Sequence, residues 1–83
     1  MPLYLDIHKK VDGATDEAVA AAHQKDLETQ EKYGVKYMKY WFDEGTSSIF
    51  CLVEAPDMES AVRVHHEAHG FVADQIFEVF NGE

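Results

Sequence analysis

Residues 35–54 read VKYMKYWFDEGTSSIFCLVE and predict a β-hairpin. The first arm, Val35 to Asp43, is rich in Tyr, Trp, Phe and Val, the residue types that strands favour. The turn follows at Glu44-Gly45-Thr46-Ser47, and Ser48 to Glu54 forms the second arm. The elements on either side of this hairpin determine the topology.

One strand and one helix precede the hairpin, and one helix and one strand follow it. Thr15 is a good N-cap for the first helix, and Asp57 can cap the second. Gly34 and Gly70 follow the two helices and predict their ends. The predicted elements are a strand over Leu3 to His8, a helix over Thr15 to Tyr33, a helix over Met58 to His69 and a strand over Asp74 to Phe80.

This order of elements predicts one α+β domain over residues 1–83 with the ferredoxin-like split βαβ (βαββαβ) topology. Right-handed crossovers then place both helices on one face of an antiparallel sheet with strand order 4-1-3-2. The other face has no helix over it. A chain of 83 residues buries only about 60% of the surface that its unfolded form exposes, which favours association.

The uncovered sheet face predicts a homodimer. The first strand alternates, and we expect Leu3, Leu5 and Ile7 on its helix-covered side. The open face then carries Tyr4, Asp6, His8, Phe50, Leu52 and Glu54, joined by either Lys39 and Trp41 or Tyr40 and Phe42, depending on the hairpin register. Aromatic residues on a face without helices indicate a dimer interface. Alternatively, they line a small-molecule cavity in a dimeric α+β barrel.

Charge and composition exclude several classes of partner. Seven Lys and Arg stand against sixteen Asp and Glu, a formal net charge of −9, so nucleic acid and anionic lipid would be repelled. The sequence has no signal peptide and no apolar run long enough to span a bilayer, and we expect a cytoplasmic protein. The single cysteine, Cys51, is predicted to be a small buried apolar residue.

Four of the five histidines fall in the two predicted helices. His65 and His69 stand four apart and share one helix face, and His23 shares a face with Asp26. The predicted topology brings His8, at the end of the first strand, to the same end of the domain. Histidine and carboxylate are ligands for borderline divalent metals, and the predicted metal ligands are His8, His23, Asp26, His65, His66 and His69. The alternative is a set of surface histidines, with His69-Gly70 as a helix stop.

Several segments together resemble a bacterial family of small ferredoxin-like proteins that was long described only as a domain of unknown function. The segments are Ala21 to Gln30, Gly34 to Tyr37, Tyr40 to Asp43, Phe50 to Pro56 and Val64 to Gly70. One actinobacterial type is described as nickel-binding. The family pattern includes a histidine that ends the first strand, His-x-x-Asp-Leu and His-x-x-x-His-Gly, which fall here on His8, on His23 with Asp26, and on His65 with His69.

The resemblance implies a dimeric, cytoplasmic protein that binds or sequesters nickel ion. We therefore expect a nickel(II) buffer or sink that is not an enzyme and has neither nucleic acid nor membrane as a partner. A nickel ion on surface histidines such as His66 stays open. Two other functions stay open as well: an enzyme of monooxygenase or isomerase type, with His8, Trp41 and Glu54 near its substrate, and a ligand-sensing regulatory module.

Overall fold

The computed structural model describes residues 1–82 and contains a four-stranded antiparallel sheet with two helices. The sheet order is β2-β3-β1-β4, which confirms the predicted ferredoxin-like arrangement. The predicted domain includes Glu83, which lies outside the described residues. The elements are β1 (Leu3–His8), α1 (Asp16–Thr29), a 3-10 turn (Gln30–Tyr33), β2 (Lys36–Asp43), β3 (Ser48–Glu54), α2 (Met58–Ala68) and β4 (Gln75–Val79).

Both helices begin at the predicted caps. The Thr15 hydroxyl accepts from the Ala18 amide at 3.1 Å, and the Asp57 carboxylate accepts from the Ser60 amide at 2.8 Å. The ends differ from the prediction by a few residues. α1 tightens into the 3-10 turn at its end. The Gln30 side chain there accepts from the Tyr37 amide at 2.7 Å, which ties the helix end to β2. α2 ends one residue early, at Ala68.

The predicted orientation of β1 was wrong. Tyr4, Asp6 and His8 are the buried residues of this strand and face the helices. Alternation divides a strand into two faces, but partners on other elements decide which face is covered. Asp6 is paired with His65 of α2, so the helix layer supplies the counter-charge that a buried carboxylate needs.

The hairpin register places Lys39 and Trp41 on the open face. Trp41 pairs with Phe50 and Lys39 with Leu52, after a bulge at Met38 that shifts the register behind Tyr37. Partners directly opposite each other lie on the same side of a sheet. The apolar open face therefore consists of Leu3, Leu5, Ile7, Trp41, Phe50, Leu52, Phe77 and Val79.

The hydrophobic core lies mainly between the sheet and α2. Val53, Ala61 and Val64 are fully buried there. The buried residues of α1 are Val19 and Asp26, and its alanines leave space between this helix and the sheet. Within residues 1–82, neither helix combines the length and apolar character needed to cross a membrane.

Candidate metal centre

A cluster of ionisable side chains lies between the sheet and the two helices. We call it the His65 cluster. Asp6 and His8 come from β1, Asp26 from α1 and Cys51 from β3, while His65 lies on α2 and His69 directly after it. Asp6 and His65 are only 1% and 2% exposed. Four secondary-structure elements therefore fix the positions of these side chains.

His65 lies at the centre because α2 presents it to the sheet beside Ala61 and Val64. Its Nδ1 is 2.9 Å from Asp26 Oδ1, and its Nε2 is 3.1 Å from Asp6 Oδ2. The Tyr37 ring packs on the imidazole with centroids 4.4 Å apart. The Tyr37 hydroxyl donates to the Ala61 carbonyl at 2.9 Å, which fixes α2 against β2. His65 thus bridges two carboxylates from opposite layers.

The charges in the cluster stabilise one another. Burial alone would raise the pKa of Asp6, but hydrogen bonding to His65 and His8 outweighs burial and lowers this pKa to about 2. Burial would lower the pKa of His65, but Asp26 and Asp6 raise it to about 9. Burial alone would raise the pKa of Asp26, but the contacts with His65 and His69 outweigh burial and lower it. At neutral pH the ionised carboxylates of Asp6 and Asp26 therefore face the imidazolium of His65.

The tautomer of His69 follows from its neighbours. Its Nδ1 accepts from the Phe71 amide at 3.1 Å, so a neutral His69 ring carries its proton on Nε2. That Nε2 lies 3.0 Å from Asp26 Oδ1 and 3.2 Å from His65 Nδ1. His69 therefore donates towards the Asp26 side of the cluster.

Two buried polar atoms in the cluster lack a well-aligned partner among residues 1–82. They are Asp6 Oδ1 and His65 Nε2. Asp6 Oδ1 is 3.3 Å from His8 Nε2, so the unsatisfied atoms are close to other polar groups but poorly oriented for hydrogen bonding.

Among the described residues, two overlapping groups of donor atoms suit a metal ion. The outer set consists of Asp26, His65 and His69, and the inner set consists of Asp6, His8, Cys51 and His65. Within each set the donor atoms lie within 4.8 Å of one another. His65 belongs to both sets, through Nδ1 in the outer set and through Nε2 in the inner set.

The structure brings together four of the six predicted ligands: His8, Asp26, His65 and His69. His23 is half-buried with its ring against Tyr40, 4.7 Å between centroids, and burial lowers its pKa. His66 is exposed on another surface, beside Glu59 and Arg63. Sequence reasoning missed Asp6 and Cys51. The available signal was that Asp6 and His8 stand two apart and share one strand face.

A cavity of about 110 Å³ leads to the cluster from the space beneath α1. Small apolar residues line most of it, and the polar side chains of the cluster lie at one end. The lining includes Val11, Ala14, Ala18, Ala22, Ile49, Phe71, His8, His23, Asp26, Cys51, His65 and His69. The predicted substrate group of His8, Trp41 and Glu54 is not assembled, because His8 faces the helices while Trp41 and Glu54 lie on the open face.

Comparisons with known proteins agree on one family. A family model described as nickel responsive protein SCO4226-like matches residues 4–79. Among solved structures, the chain is similar to SCO4226 from Streptomyces coelicolor A3(2), with 34% sequence identity and a TM-score of 0.90. The match covers 98% of this chain and 99% of that one. A search of curated proteins found no match.

Proposed function

The chain belongs to the SCO4226-like family of nickel-responsive proteins, and on that premise we propose that it binds nickel(II) and acts as a cytoplasmic nickel buffer or sink. The proposed role is binding and release, without a chemical step. The net charge of −9 supports a cation as the partner, rather than nucleic acid or an anionic membrane.

The observation that carries this proposal is the spacing of the outer set. Its three donor atoms are separated by 2.9, 3.0 and 3.2 Å. In an octahedral site with bonds of about 2.1 Å, neighbouring ligand atoms lie about 3.0 Å apart. Nickel(II) accepts octahedral or tetragonal arrangements of nitrogen and oxygen. Hydrogen bonds have similar lengths, so the ion would take the place of the protons that these atoms now share.

The charge of the cluster also supports a divalent cation. Asp6 and Asp26 are buried and ionised, and the His65 imidazolium lies between them. A divalent ion that displaces the His65 proton balances both carboxylates. Buried charges need a paired counter-charge, so a divalent ion would suit this pair of carboxylates.

The other predicted ligands, His8, His23 and His66, also have roles in the proposal. His8 and His23 face the same cavity as the outer set, where water on the ion's remaining positions would meet them. His66 is exposed, and we propose it as a candidate for a separate, weaker surface site. Sites of this kind would not require the buried cluster.

Isothermal titration of the tag-free protein with nickel tests the proposal. We expect one tight interior site per protomer, lost in His69→Ala and Asp26→Asn and kept in His66→Ala. His69 is the preferred position because it follows α2, so its removal leaves the helix intact. Wild-type protein that binds no nickel, or His69→Ala protein that binds it with wild-type affinity, would contradict the outer-set assignment.

We also propose that the protein is a homodimer that associates through the open sheet face. This face is a continuous apolar surface, and its Trp41 and Phe77 are 48% and 47% exposed in the protomer. Contiguous exposed apolar surface of this kind is typical of protein interfaces.

A second candidate function is binding of a small organic molecule, which the cavity favours. The cavity is mostly apolar with polar groups at one end, as in many small-molecule sites. A ligand screen by chemical-shift perturbation on metal-free protein tests this candidate. Shifts confined to Ala18, Ala22 and Ile49 are expected, and shifts on the open face instead would exclude the cavity.

A further inference from the structure

We propose a second metal position, formed by the inner set on the opposite side of the His65 ring, that takes an ion of tetrahedral preference such as zinc(II) or cobalt(II). The inner set consists of Asp6, His8, Cys51 and His65. The proposal goes beyond the nickel site and does not depend on it, because three of its four donors are different.

The fold itself places these donors together. Asp6 and His8 lie on the covered face of β1, and the register of β3 sets Cys51 directly opposite Asp6. α2 then lays His65 over the strands. The donor atoms lie within 4.8 Å of one another, whereas zinc bonds of about 2.0–2.3 Å require separations of about 3.3–3.8 Å. An ion therefore needs the longest separation to close by at most about 1 Å.

An independent observation points to the same position. The two buried atoms without an aligned partner among residues 1–82, Asp6 Oδ1 and His65 Nε2, both belong to the inner set. An ion bound there would satisfy both. The other His65 nitrogen already faces Asp26 Oδ1 at 2.9 Å, which is the supporting carboxylate that metal-bound histidines commonly have.

The inner set also differs from the outer set in what binding disturbs. An ion on His69 Nε2 moves the ring proton to Nδ1, and that proton would oppose the Phe71 amide. An ion on His65 Nε2 leaves the Asp26 contact in place. His8, Cys51 and His65 line the cavity, which supplies a route for entry.

The donor types explain the preferred ion. Cys51 binds as a thiolate, so its proton passes to the buffer when the metal-sulfur bond forms, as does any proton on His65 Nε2. One thiolate, two imidazoles and one carboxylate suit zinc and cobalt in tetrahedral geometry. A neutral imidazole has one lone pair, so ions in the inner and outer positions exclude each other.

Cobalt(II) is the probe for this proposal because a cobalt-thiolate bond produces a near-ultraviolet charge-transfer band. We expect wild-type protein to show this band, with the intense visible bands of tetrahedral cobalt, at one ion per protomer. Zinc should abolish the bands by displacement. Bound cobalt without the thiolate band in wild-type protein would overturn the proposal without the use of any variant.

Two matched variants separate the two positions. Cys51→Ser should lose the thiolate band and keep nickel binding, whereas His69→Ala should lose tight nickel binding and keep the band. Circular dichroism confirms the fold of each variant. A band that survives in folded Cys51→Ser protein would overturn the inner position, and nickel binding that survives in His69→Ala would instead overturn the outer one.

Discussion

The two carboxylates at His65 make the charge of this residue important for the stability of the metal-free fold. The pKa of His65 is raised to about 9, so its contribution to stability is complete below its unfolded value of 6.5 and disappears as the pH rises through 9. The pKa of Asp6 is lowered to about 2, so its contribution is present above 3.8 and disappears as the pH falls through 2. Metal-free protein in the presence of a chelator should therefore be most stable between pH 3.8 and pH 6.5, where both contributions are present.

Thermal unfolding across this pH range measures the effect. The alkaline loss should approach roughly 3 kcal/mol, the free energy that corresponds to the raised pKa of His65. His66→Asn changes an exposed histidine on the same helix and should leave the alkaline slope unchanged. A melting temperature that stays constant from pH 6 to pH 9.5 would contradict the proposed charge state of His65.

If nickel binds to His65, the same proton must leave. At pH 7.5 we expect release of about one proton per ion, because His65 enters the site as an imidazole. Titrations in buffers of different ionisation enthalpy measure this number. Equal heats in all buffers would exclude His65 as a ligand.

Nickel affinity should fall on acidification, and the double variant His65→Ala, His69→Ala should remove the interior site.

Individual members of the His65 cluster could be predicted where their position depends on one element. Helical spacing predicted that His65 and His69 lie together, and the end of β1 predicted His8. Asp6 and Cys51 were missed because their proximity depends on which face of β1 is covered and on the β1-β3 register. Both depend on contacts between distant elements, which the alternation of a single strand does not encode.

At the scale of elements, the segment after α2 connects the cluster to the surface. The Phe71 amide donates to His69 Nδ1 at 3.1 Å, and the two rings pack with centroids 5.5 Å apart. Nickel on His69 Nε2 requires a proton on Nδ1, which breaks this hydrogen bond. We therefore expect hydrogen exchange at residues 70–73 to accelerate on nickel binding, while exchange in β3 slows or stays constant.

Exchange measured by mass spectrometry with and without nickel tests this expectation. In His69→Ala the amide of Phe71 has already lost its acceptor, so nickel should cause no further change there. Slower exchange at residues 70–73 in nickel-bound wild-type protein would mean that His69 keeps its present tautomer and does not bind the ion.

The sequence predicted the order of the helices and strands more completely than it predicted the pairing of the strands. Thr15, Gly34 and Asp57 mark helix ends by local capping chemistry, which a sequence displays directly. The bulge at Met38 is different, because it depends on how β2 fits β3. The hairpin sequence left two registers open, and the structure selects the one with Trp41 on the open face.

For the whole molecule, the two sides of the sheet differ in character. The covered side holds the His65 cluster, while the open side presents Trp41 beside Phe50 and Leu52. The interface of a symmetric dimer would contain one Trp41 from each protomer, so a single substitution changes the interface at two places. Truncation of a central aromatic residue commonly costs 2 kcal/mol or more, and about 1.4 kcal/mol corresponds to a tenfold change in Kd.

Two losses of about 2 kcal/mol sum to about 4 kcal/mol, so Trp41→Asp should raise the dimer Kd by roughly several hundredfold. It should leave a folded protomer, because Trp41 is 48% exposed and lies outside the core. Leu27→Asp is the matched control, since Leu27 is an exposed apolar residue of α1, on the other side of the sheet.

Analytical ultracentrifugation at micromolar concentration should find dimers for the wild type and the control and monomers for Trp41→Asp. Wild-type monomers, or Trp41→Asp dimers, would contradict association through this face. Nickel binding that persists in the monomeric variant would show that each protomer holds a complete interior site, as the location of the His65 cluster beneath the helices requires.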